Sequence, residues 1–174
     1  MRWNNPNHKC SDDVLKYYLY FKATEDDPLM KIDSINNVND TIYTFDNLGS
    51  IAGCYAVTAV DSSNNESAMP EPVCVDNCPE FDLPNVFTIN GDGINDFFKA
   101  IRVKYIKDIE LKIYNRWGQL VHETSDPYFT WDGKVLQTKM LCSEGTYFYV
   151  CKVNEIRVKG IKSRYLRGNV QVFH

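Results

Sequence analysis

The sequence predicts an all-β chain folded as two consecutive antiparallel β-sandwich domains. Three observations predict it. Aromatic residues make up 13% of the chain, with 11 Tyr and 9 Phe, and rings favour pleated, half-buried surfaces. Short apolar runs with period-two alternation recur between polar turn clusters. No stretch carries the apolar period of an amphipathic helix. At 174 residues, 44% hydrophobic and 24% charged, the chain can hold one medium core or two small ones.

The first half, 1–78, reads as short strands. Tyr17–Phe21 is strand-like, and Thr41–Phe45 alternates. Cys54–Val60 places Tyr55, Val57 and Ala59 on one face and Cys54, Ala56 and Thr58 on the other. The cluster from Asp61 to Ser67 is a turn, and Val73 and Val75 flank Cys74 on a last strand. Cys78-Pro-Glu-Phe-Asp-Leu-Pro84 is a linker over 79–84, stiffened by its two prolines. In 85–174, Ile109–Ile113 alternates cleanly, Asn115–Gly118 is a turn, and Gln119–Glu123 returns. Gly145–Val153 is a long strand, followed by Glu155–Lys159 and Arg167–Phe173.

Charge marks the same boundary. The net charge of −4 divides into −9 over 1–83 and +5 over 84–174, a shift typical of a domain junction. No run approaches the ~20 apolar residues that a membrane helix needs, and no signal peptide opens the chain. It reads as the C-terminal piece of a longer exported protein, a monomer without a transmembrane segment.

Two resemblances follow from particular residues. Trp3-x-x-Pro6, Leu48 with Tyr55, and Tyr55-x-Val57-x-Ala59 resemble strand B, the tyrosine corner and strand F of a fibronectin type III domain. Strand A would precede Trp3, so the domain reads as truncated. The second set is longer. Leu83–Asp96 contains Asn90-Gly-Asp-Gly-Ile-Asn-Asp96. Ile113–Val121 contains Asn115-Arg-Trp-Gly118, and Trp131-Asp-Gly-Lys134 follows. In that order they resemble the gliding motility-associated C-terminal domain, the type B sorting domain of the type IX secretion system. The resemblance covers Leu83–His174 and implies a second immunoglobulin-like sandwich. Its motif positions here are Asn90, Gly91, Asp92, Gly93, Asn95, Asp96, Asn115, Arg116, Trp117, Gly118, Trp131, Asp132, Gly133, Lys134, Gly145 and Gly168. The family usually has Pro where this chain has Ile89.

The resemblance implies a non-catalytic sorting signal, read by the type IX outer-membrane translocon. The protein would then sit outside the cell or on its outer surface, with the fibronectin-like domain as spacer or adhesive module. The competing reading is an accessory module that binds surface polysaccharide or protein for an upstream enzyme.

The remaining candidates are weighed on residue chemistry. Asn90, Asp92 and Asp96 offer hard oxygens to calcium, the one cofactor the sequence suggests. The plainer reading is a sharp turn built from Asn, Asp and Gly. Six cysteines favour disulfides over free thiols in an exported β protein. Cys54 and Cys74 are symmetric about residue 64, so a hairpin centred there sets them opposite each other, on the face away from the core. Cys142 and Cys151 are near in sequence, but a strand extended from Gly145 to Cys151 spans about 20 Å and Ser143–Gly145 returns only about 10 Å, so their pairing needs a bend or a late strand start and stays open. Zinc is disfavoured, because His8 and Cys10 lie at the opposite pole from Cys74 and Cys78. Trp117 and Trp131, with Tyr114 and Tyr128, suit either sugar stacking or the plugging of a core, and packing is the better account of such rings. The histidines at 8, 122 and 174 have no nucleophile nearby in sequence, and no catalytic motif is present. The basic run Lys152–Arg167 lacks the interleaved aromatics of a nucleic-acid groove and fits a guarded strand edge or a basic docking face.

Overall fold

The computed structural model describes residues 1–8, 12–44, 50 and 52–174. Among them there is no α-helix, only a 3-10 turn at Pro6–His8. The chain divides into two units, Met1–Asn77 with Arg157–Gly160, and Cys78–Ile156 with Ile161–His174. Both are β structures, and antiparallel pairing dominates. Among the described residues no helix is long and apolar enough to cross a membrane.

The first unit holds β1 (Val14–Lys22), β2 (Met30–Ile35), β3 (Gly53–Asp61) and β4 (Val73–Val75), in sheet order β2-β1-β3-β4. Tyr17 faces Ala59 and Leu19 faces Val57 across β1–β3. Trp3 packs edge-on against Tyr17 at 5.3 Å, and Phe21 meets Tyr55 at 5.1 Å. Aromatic pairs thus cover the face that carries Tyr55. The Thr41–Phe45 run differs from expectation: Ile42 forms only an isolated bridge to Arg2 and is exposed. A chain that turns its apolar side chain outward gains little from a ladder. Phe45, Cys10 and the Leu48 half of the tyrosine corner lie outside the described residues.

Cys54 and Cys74 lie directly opposite each other across β3–β4 and form a disulfide. They sit on the sheet face opposite Leu19 and Tyr17, yet Cys54 is fully buried. It belongs to a small second cluster with Ala52 and Val158. Both faces of β3 are therefore covered.

The second unit holds β5 (Glu80–Asp82), β6 (Val86–Thr88), β7 (Arg102–Lys104), β8 (Ile106–Tyr114), β9 (Leu120–Thr124), β10 (Gly145–Arg157) and β11 (Gly160–Phe173). Five of them form a sheet in the order β6-β11-β10-β8-β9, and β5 pairs with β7. Alternation places Ile109, Leu111 and Ile113 inward and Glu110 and Lys112 outward. The register sets Leu111 against Cys151 and Ile109 against Val153. Phe81, Phe87, Phe98, Trp131, Tyr147, Val170 and Val172 complete the core.

Two features of this sheet differ from the antiparallel strands expected. The Glu155–Lys159 run is not a separate strand: it extends β10 to Arg157 and then turns. The chain's last strand also pairs in parallel with β6, Val172 facing Phe87. A parallel pair needs a long crossover and leaves no local signature.

Candidate functional site

The Asn90–Asp96 loop follows β6 and is built by its own acids. Asp96 accepts the Gly91 N–H at Oδ1 and the Gly93 N–H at Oδ2, both at 2.8 Å. Asp92 accepts the Ile94 N–H at 2.7 Å and the Asn90 side-chain amide at 2.9 Å. Gly91, Gly93 and Asn95 take φ of 73°, 84° and 57°, a left-handed region that Gly and Asn tolerate best. The Ile94 amide, then the Asn90 side chain, hold the Asp92 carboxyl below the usual carboxylate range. All four carboxylate oxygens thus already accept an N–H. Among the described residues, no three His, Cys, Asp or Glu side chains gather as a metal site. These N–H bonds shape the loop from its own groups, so a cation is not needed to close it. Its Tm is therefore expected to move by less than about 1 °C between chelator and millimolar calcium, with Asp96→Ala lowering stability by about 1–3 kcal/mol. A calcium-dependent Tm rise would show that the loop binds the ion.

Asn115–Gly118 closes the β8–β9 hairpin. Asn115 Oδ1 accepts the N–H groups of Trp117 and Gln119, each at 3.0 Å. Asn can replace missing backbone acceptors in this way. Gly118 has φ of 78°. Trp117 is left 67% exposed, with the Arg116 guanidinium 4.2 Å from its ring centroid.

Trp131 does the opposite. It is 1% exposed and packs against Phe87 at 5.4 Å, Phe98 at 6.3 Å and Tyr147 at 6.1 Å. Its backbone bridges to Phe98, and its indole N–H donates to the Lys134 carbonyl at 2.9 Å. Asp132 accepts the Lys134 N–H at 3.1 Å and ion-pairs with the Lys134 ammonium. That ammonium is the main reason the Asp132 carboxyl sits low. Gly133 turns the chain at φ 72°, and a Cβ there would meet Ile89 Cδ1 at 2.2 Å. Its carbonyl accepts from Cys142, both N–H and thiol.

The three motifs are therefore two hairpin or loop closures and one core anchor. The model of the CHU_C type IX secretion signal domain matches residues 81–167. The chain belongs to this family. Comparison with curated proteins gives no match. A type IX secretion signal domain is a non-catalytic sorting signal, which implies export and a meeting with the secretion machinery.

The last motif positions of the signal domain shape its longest strands. Gly145 opens β10. Gly168 lies under Tyr149, whose hydroxyl would stand 2.5 Å from an added Cβ. Sequence spacing did not expose this pair, because the two residues meet only through strand pairing. Cys142 and Cys151 are both buried free thiols, and burial pushes the Cys151 thiol up to about 12.

His122 is a second contact invisible in the sequence. Its ring stacks on Trp131 at 5.5 Å and 26°. Its Nε2 is buried, with no hydrogen-bond partner among the described residues. Burial lowers its pKa, against the opposing pull of Asp132 and Glu123 and with the help of Lys139. Below the unfolded value of about 6.5, the unfolded chain then binds the proton more readily. Stability is expected to be full above that pH and to fall as pH drops toward the lower folded pKa. His122→Phe should flatten that part of the stability–pH curve in urea melts.

Proposed function

We propose that this chain is the address of a larger exported protein. The type IX outer-membrane translocon reads the second unit, and the protein is then displayed on the cell surface or released. The first unit serves as a fibronectin-like spacer or adhesive module. The family match over 81–167 carries this reading. The basic balance of 84–174 suits an acidic receptor or outer-membrane surface. The motif residues divide by task. Asn90–Asp96, Trp131–Lys134, Gly145 and Gly168 keep the fold, whereas Arg116 and Trp117 stand exposed for contact.

The test is export of the chain behind a signal peptide in a type IX host and in the same host lacking the translocon. The reading expects extracellular protein only in the first. Equal amounts outside both would refute it.

One observation favours a second reading. The Arg116–Trp117 pair offers a flat exposed ring to a polysaccharide, whereas Trp131 is buried and offers none. Under the sorting reading, Trp117→Ala leaves the Tm within about 2 °C, since surface changes cost little, and glycan binding is absent before and after. Glycan binding abolished by Trp117→Ala would favour the accessory module.

A further inference from the structure

β11 is the longest strand of the signal domain and is only partly flanked. β10 lies along one side of it. On the other side β6 pairs with Gln171–Phe173 alone. Among the described residues, no strand pairs with Ser163–Asn169 on that side.

The direction of the open backbone groups follows from the bonds at the strand's end. The Gln171 N–H donates to the Asn85 carbonyl at 2.8 Å, and the Phe173 carbonyl accepts the Ile89 N–H at 2.7 Å. Residues 171 and 173 therefore address the β6 side. Backbone groups alternate along a strand, so Ser163, Tyr165, Arg167 and Asn169 present N–H and C=O to the same side. All four are exposed.

The edge has a chemical character. Lys162 and Arg167 are exposed, and neither appears in an ion pair among the described residues. Tyr165, 63% exposed, lies between them. Such cations discourage addition of an arbitrary strand and repel a second copy of the same edge. They favour an extended segment that carries carboxylates.

We propose that the open edge Ser163–Asn169 receives an extended, acidic strand from the export machinery by β-augmentation. Main-chain bonds would supply affinity, and the flanking cations would select the sequence. The inference rests on the sorting reading and locates where that sorting signal is read. The final residues 171–173 are unavailable for this, because β6 already occupies them.

The test compares secretion of the full chain and its variants in a type IX host. Arg167→Pro removes one N–H on the open side and leaves the β10 ladder intact, as an edge proline does. It is expected to cut export at least tenfold, with a Tm within about 5 °C of the parent. Lys162→Glu with Arg167→Glu leaves every backbone group in place, so it serves if the proline variant fails to fold. It too should cut export tenfold. Parental export of the folded proline variant, or of the charge-reversed variant, would overturn the edge proposal while leaving the sorting reading in place. No export of the parent chain would overturn both. A parent dimer in sedimentation, abolished by Arg167→Pro, would assign the edge to self-association and overturn the proposal.

Discussion

Trp131→Ala is expected to cause the largest loss of stability of any single change in the signal domain, about 3–5 kcal/mol. The ring is fully enclosed by Phe87, Phe98, Tyr147 and His122, and its indole ties the Asp132–Lys134 turn. Truncating such a ring costs about 3–5 kcal/mol, against a total of about 5–15 kcal/mol for a typical domain. The indole bond to the Lys134 carbonyl is lost as well. A Tm fall of at least about 12 °C is expected for a domain of this size, read by near-ultraviolet circular dichroism. A fall under about 4 °C would mean that the ring is peripheral.

Gly133→Ala carries the second large effect. Two costs combine at this position. A side chain at φ 72° costs roughly 1–2 kcal/mol. Its Cβ also lands 2.2 Å from Ile89 Cδ1 and 3.6 Å from Phe87 Cζ. Overpacking of that kind costs roughly 1–3 kcal/mol. Gly91 and Gly118 share the positive φ but have nothing within 4 Å. Gly91→Ala and Gly118→Ala are therefore expected to cost only the backbone share, roughly 1–2 kcal/mol. Urea unfolding of the three variants separates backbone strain from collision. Equal losses at all three sites would show that Ile89 moves aside freely.

What the sequence disclosed depended on how local each cause was. The alternation of Ile109, Leu111 and Ile113 is a two-residue pattern, so β8 could be read directly. The Asn90–Asp96 loop is also local, because its acids bond backbone groups two to five residues away. The two tryptophans show the limit. Each stands beside a turn signal, yet Trp131 is buried and Trp117 is not. Phe87, Phe98 and Tyr147 decide the matter, and they arrive from other strands. The β6–β11 pair and the Tyr149–Gly168 contact are long-range in the same sense. So is the short β5–β7 ladder, whose three-residue strands fall below any periodic signal. The consequence for function is concrete. Removing 168–174 would delete the buried Val170 and Val172 and the partner of β6. Such a truncation tests folding before it tests recognition, and point changes on the open edge are the better probe.

This chain is expected to direct export by itself. The most direct measurement appends all 174 residues to the C-terminus of a periplasmic reporter in a type IX host. Reporter activity is then assayed inside and outside intact cells. The reporter is expected to move to the surface or medium, and Trp131→Ala to keep it inside. A reporter that stays periplasmic with the intact, folded chain attached would show that the chain is not a sufficient export signal.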